Sequence, residues 1–150
     1  MTDKYSLDLH PFSMKDLISF SCTEPFDVWC VMENNLSLGN TSYMTMTNAY
    51  GIAIAICGII FLRPGVAEVC VIRSSLIDKH AKDFSRMMRF LVNDYIPSEC
   101  GLHRAEMFVD ANWPSCHRWA EFLGFTKEGL TKHFTPDGRD HYCYARIYGS

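Results

Sequence analysis

The stretch that most constrains this chain runs from residue 66 to residue 95. Residues 66–72 read Val-Ala-Glu-Val-Cys-Val-Ile, apolar at nearly every position, as a strand covered on both faces requires. Pro64-Gly65 supplies the turn before it. An amphipathic helix follows at once, opening at Ser75 or Asp78, with Ile77, Ala81, Phe84, Met88, Leu91 and Tyr95 on one face. Ser75-x-x-Asp78 has the spacing of a capping box, and Pro97 is placed to stop the helix. A strand feeding straight into a helix brings unpaired backbone N–H groups to one point, a natural seat for phosphate. Any cofactor site is therefore expected at this junction.

The remaining segments sort by period. Residues 5–10 alternate as a half-buried strand ending at Pro11, a short helix follows at 14–20, and a second helix begins after Thr23 with Pro25 in its first turn and Phe26, Trp29 and Cys30 at helical spacing. Strands are expected at 43–48 and 52–62, where Gly58 marks a bulge or the close approach of another backbone. Beyond the central helix come a strand at 103–110, a helix from Pro114 to about Leu123 with Gly124 at its C′ position, and a hairpin of strands 125–134 and 140–148 around Pro136-Asp-Gly-Arg139. The order is strand, two helices, three strands, helix, strand, helix, two strands, so the class is α/β.

At 150 residues and 48% hydrophobic content, with no linker-like tract, the chain is expected to form one domain over residues 1–150. A formal charge of −3 argues against a dedicated nucleic-acid binder, which needs a Lys/Arg surplus to neutralise phosphates. Seven cysteines without regular spacing fit reduced thiols, mostly core filler. The longest apolar run, 52–62, is far short of the roughly 20 residues of a membrane helix, and the polar start lacks a signal-peptide pattern. These features lead us to expect a soluble, cytoplasmic protein.

The element order, together with Asn112 and the run Trp119-Ala-Glu-Phe-Leu-Gly-Phe125, resembles the GNAT-fold N-acyltransferases. Within that superfamily the chain is similar to small GNAT-like proteins of short-tailed bacteriophages, including their internal virion protein A. The shared features are Val109-Asp-Ala-Asn112, Arg118 followed by Leu123-Gly-Phe125, and the turn Phe134-Thr-Pro-Asp-Gly138. The resemblance implies a mixed central sheet of about six to seven strands flanked by about four helices. It also implies transfer of an acetyl group from acetyl-CoA to a primary amine in a ternary complex, the amine being a protein lysine or N-terminus. A host protein is then the expected partner, and the host cytoplasm or the virion the expected location. The alternative implied is a catalytically silent GNAT-fold protein acting as virion component or host-factor binder.

Carried over position by position, the family's acyl-CoA site falls on Val71, Ile72 and Arg73 for the pantetheine arm and thioester. The pyrophosphate loop falls on Asp78-Lys-His-Ala-Lys-Asp83, hence on Lys79, His80, Ala81, Lys82 and Asp83. Both glycines of the family pattern are absent, and glycine there lets the backbone approach the phosphates. Lys79, His80, Lys82 and Arg86 are either a substitute set of phosphate-binding side chains or a solvated basic face. The family's Tyr general acid is replaced by Ala120. Tyr142 and, beside it, Tyr144 are either acid candidates in its stead or packing residues of the terminal hairpin. Glu68 is either the general base, its pKa raised by burial, or a strand-edge carboxylate. Asn112 either bonds the cofactor arm or caps the next helix. Cys100, His103, Cys116 and His117 are a weak zinc set, because adjacent Cys and His do not easily turn to one ion.

Overall fold

The computed structural model describes residues 7–17 and 39–149. The expected helix after Thr23, with Trp29 and Cys30, lies outside those residues, as do the first residues of the expected strand at 5–10.

A seven-stranded mixed sheet organises the chain. Its strands are β1 (Asp8–Pro11), β2 (Thr41–Thr47), β3 (Ala53–Arg63), β4 (Val66–Arg73), β5 (Arg104–Asp110), β6 (Thr126–Thr131) and β7 (His141–Ile147), in the spatial order β1-β2-β3-β4-β5-β7-β6. The first four form an antiparallel meander, β4 and β5 are parallel, and β5, β7 and β6 are antiparallel. A parallel neighbour demands a crossover. The helical segment between Ile77 and Glu99 supplies it. The expected strand number holds. The helix number is smaller among the described residues: the described part of the expected helix at 14–20, Met14–Leu17, is a 3-10 turn, its remainder lies outside the described residues, and only two described α-helices exceed one turn.

Strand β3 carries the centre of the core, with Ile54, Ala55 and Ile56 fully buried. Gly58 sits in regular pairing between Tyr43 and Cys70, so it is not a bulge. It is the site of a close approach by a side chain: a Cβ there would stand 2.4 Å from Tyr43 Cε1 and 2.8 Å from Cys70 Sγ. Glycine lets the Tyr43 ring lie flat across the sheet.

The crossover departs from the expected single helix. It begins with a 3-10 turn at Ile77–His80, continues as α1 (Ala81–Phe90), widens to a π-turn at Leu91–Tyr95 and ends as α2 (Ile96–Glu99). The capping box at Ser75 and Asp78 does not form. Ser74 takes that work instead, its Oγ accepting from the Leu76 N–H (3.1 Å) and its carbonyl from Ile77 (3.3 Å). A fully buried hydroxyl must find a partner, and Ser74 is 1% exposed.

Pro97 does not stop the helix either. The π-turn bonds the Ile96 N–H to the Leu91 carbonyl, five residues back. In that register the Val92 carbonyl would look to residue 97, which as proline has no N–H. The Tyr148 hydroxyl donates to it instead, at 2.8 Å. Tyr148→Phe should therefore lower unfolding stability by about 1–2 kcal/mol, measured by denaturant titration, because the carbonyl loses the donor that replaces the missing amide. An unchanged midpoint would refute this account of the π-turn.

Helix α3 (Pro114–Phe122) ends as the sequence suggests. Gly124, at φ 88°, donates to the Glu121 carbonyl (2.9 Å) and Phe125 to the Ala120 carbonyl (3.1 Å), the paired bonds of a Schellman motif. Phe125 is thereby turned into the core. Phe84 of α1 stacks on Trp119 of α3 with ring centroids 5.5 Å apart, so both helices share one face of the sheet. Ala67, Val69, Ala105, Met107, Val109 and Tyr144 pack into that same core. Because strand residues alternate, Glu68, Cys70, Glu106 and Phe108 point to the opposite face.

Candidate functional site

The parallel pair is short. Strands β4 and β5 pair only at Val66 with Arg104, Ala67 with Ala105, and Glu68 with Glu106. Past that point both remain strands, but each is bonded on its outer side alone: β4 to β3 as far as Arg73, and β5 to β7 as far as Asp110. The sheet therefore forks. Between the two prongs the inner strand edges have no ladder, an opening into which an extended ligand can lay its own amide groups.

Glu68 stands at the root of the fork. It is the last paired residue of β4, half-buried, on the face opposite the helices. Burial, and then the neighbouring Glu106 carboxylate, push its pKa up to about 7. Among the described residues no cation pairs with it. Glu106 is differently placed. Its carboxylate accepts from Arg104 Nε at 2.9 Å and lies 4.0 Å from Arg63 Nη2, while the other arm of Arg104 grips Glu128 through two bonds of 3.1 and 2.6 Å. This network was not anticipated from the sequence. Its trace is Arg104-x-Glu106, a spacing that sets both side chains on one face of a strand.

Val71, Ile72 and Arg73 lie along the open prong of β4. At its tip the Arg73 guanidinium lies 4.1 Å over the Trp113 ring, a cation–π contact that bridges the mouth of the fork to the start of α3. Asn112 does not cap that helix. Trp113 holds the N-cap position, without a side-chain bond, and the exposed Asn112 donates its backbone N–H to Asp110 Oδ1 at 2.9 Å.

The turn beyond β4 is a poor backbone nest. The N–H groups of Leu76, Ile77 and Lys79 are taken by Ser74 and Leu76 within the turn itself. Lys79, Ala81 and Lys82 are exposed, His80 is half-buried, and Asp83 is answered by Arg86 at 3.8 Å. Any anion held at this point must be met mainly by side chains.

The helix-side face of the sheet carries two tyrosines on β7, one strand beyond the fork. Tyr144, fully buried, approaches His117 Nδ1 at 2.7 Å, and His117 Nε2 lies 2.9 Å from the Asp110 carbonyl. A carbonyl only accepts, so in the neutral ring Nε2 carries the proton and Nδ1 accepts from the Tyr144 hydroxyl. Burial pushes the Tyr144 pKa up. Tyr142 lies one register step nearer the tip, opposite Val109, its ring edge-on to His117 and under the Lys127 ammonium at 4.1 Å. Ala120 is fully buried. His117, with both nitrogens engaged, ties Tyr144 to the end of β5, a pairing that the sequence did not reveal.

No protein-family model matches the sequence, and no curated protein matches it. Solved structures do. The chain is similar to the spermidine N-acetyltransferase of Vibrio cholerae in complex with CoA and spermine, at 18% identity and TM-score 0.70 over 95% of both chains. It is similar also to the same organism's spermidine/spermine N-acetyltransferase with manganese ions, at 19% identity and TM-score 0.69 over 95% of this chain and 92% of that one. The chain has the GNAT fold. The break between β4 and β5 is the open feature of this sheet; Glu68 stands at its root and Arg73 at the tip of one prong, while Tyr142 lies on β7, one strand beyond the other prong. The likeness to phage proteins has no counterpart among these structures.

Proposed function

We propose that the chain is an N-acetyltransferase that moves an acetyl group from acetyl-CoA to a primary amine by direct attack. The observation that carries this reading is the forked sheet with a carboxyl group of pKa about 7 at its root. The fork accepts the pantetheine arm along Val71, Ile72 and Arg73. Arg73, Lys79 and Lys82 supply cationic side chains for the phosphates, and His80 a ring N–H donor, offsetting the missing glycines. The opening fits the donor; the turn after it fits through side chains only, and Ala81, Asp83 and Asn112 are left as flanking positions.

In this reading Glu68 and the tyrosines occupy opposite faces, with the fork as the aperture between them. An ammonium arriving on the Glu68 face gives its proton to that carboxylate. The freed nitrogen attacks the thioester carbonyl, the C–S bond breaks as that nitrogen gives its second proton to solvent, and the thiolate leaves on the helix side. Tyr142 is the group that returns a proton to it there, in place of the tyrosine that Ala120 replaces. The acceptor class includes a lysine or N-terminus of a host protein, which the likeness to phage proteins in 109–112, 123–125 and 134–138 favours. A second reading, a silent GNAT-fold binder, is favoured by the buried Ala120.

Calorimetry separates the two. Acetyl-CoA should bind saturably, and Lys82→Glu should weaken it about tenfold, since one phosphate-facing charge is reversed. Absence of binding at about millimolar ligand would rule out the enzyme, whereas unchanged affinity of the variant would refute the side-chain substitution for the glycine nest.

A further inference from the structure

The Glu68 face of the fork has two properties that restrict the amine. The first is charge. Of the strand carboxylates there, Glu106 is held by Arg104 and Arg63, and Glu128 by Arg104, whereas Glu68 has no cation partner among the described residues. One ammonium is matched; a second finds its carboxylates already engaged. A polyamine needs a row of uncommitted negative charges, because each desolvated ammonium must be paired.

The second property is an aromatic wall. Phe108 follows Glu106 by two residues on the same face, about 7 Å further along the strand, at the prong of the fork. Phe134, from the loop between β6 and β7, stacks on it with centroids 4.4 Å apart and planes 15° from parallel, and is itself 39% exposed. This ring is held in place rather than left on a free loop. Its N–H donates to the Arg139 carbonyl at 2.9 Å, His133 before it takes φ 51° with its N–H on Asp140, and Arg139 is tied to Asp110 Oδ2 at 2.8 Å. A large apolar ring fixed with an accessible face is a binding wall, since it offers area at little entropic cost.

We propose that the acceptor is a primary monoamine with an aromatic body, its ring against Phe134 and its amino group at Glu68. This rests on the acetyltransferase reading and narrows it to a substrate class unlike the spermine bound by the similar Vibrio cholerae enzyme. The test compares phenethylamine, spermidine and a lysine-containing peptide as acceptors, following CoA release, with acetyl-CoA binding measured separately by calorimetry. Phenethylamine should show a kcat/KM at least about tenfold above either competitor, and Phe134→Ala should raise its KM by about tenfold while leaving kcat and acetyl-CoA affinity unchanged. Direct titration of phenethylamine onto the CoA-bound protein should show the same loss in the variant. Preference for spermidine or the peptide, an indifferent Phe134→Ala, or acetyl-CoA binding with no phenethylamine bound or acetylated would each overturn the inference. If acetyl-CoA itself fails to bind, the acetyltransferase reading fails and this one falls with it.

Discussion

Replacing Glu68 with Gln should lower kcat by about 10²- to 10³-fold while leaving acetyl-CoA affinity within about twofold, because the carboxylate acts on the amine and not on the donor. The amide is nearly the same shape, so the fork is preserved and only proton acceptance is lost. The pH profile gives the sharper signature. With a folded pKa of about 7, the ionised base accumulates as pH rises, so kcat/KM of the wild type should climb to a plateau with its midpoint near 7. The Gln variant should lose that limb. Stability should move the other way. A carboxyl group whose pKa is raised by folding favours the folded state below the ordinary carboxylate range, and that advantage is lost as pH rises through the folded value. Glu68→Gln should therefore melt above the wild type at about pH 8 and lose that lead near about pH 4. A variant that turns over at the wild-type rate would exclude Glu68 as the base.

Arg104→Met should cost about 2–3 kcal/mol of stability, seen as a lower melting temperature, and should move the midpoint of the pH profile upward. Arg104 is 22% exposed and holds Glu106, itself 13% exposed, against Glu128. Removing it leaves two carboxylates facing each other beside Glu68 with only the more distant Arg63, at 4.0 Å from Glu106, to offset them. The partial exposure of Glu128, 44%, keeps the loss below that of a fully buried pair. The direction of the second effect follows from sign alone: more uncompensated negative charge near Glu68 disfavours its ionisation. An unaltered pH midpoint would show that the network does not reach the base.

What the sequence conveyed was periodicity and punctuation. The strand at 66–72 and the Gly124 terminus are local signals, and each appears where those signals place it, within a residue or two, whereas β3 runs on unbroken through Gly58. The central helix shows the limit. Pro97 reads as a stop because the local rule concerns an α-helical register. The π-turn changes that register and lets a tyrosine 51 positions away, counting from Pro97 to Tyr148, replace the missing donor. Ser75 looked like a cap, but its buried neighbour Ser74 had the greater need of partners. The site divides the same way. Glu68 and Arg73 are candidates through the family pattern, which names positions along the chain, and Tyr142 as a substitute for the tyrosine that Ala120 replaces. Glu106 with its arginines, His117 with Tyr144, and the Phe108–Phe134 stack are long-range pairings, settled by which strands lie side by side. Asn112 failed as a cap because the Asp110 turn places Trp113 at the helix start.

The most direct test of the forked site as a working acyltransferase is CoA release from acetyl-CoA in the presence of a primary amine, followed across pH. Amine-dependent release that rises with pH to a plateau, with a midpoint near 7, is the predicted result. Saturable acetyl-CoA binding with no amine-dependent release at any pH would contradict it.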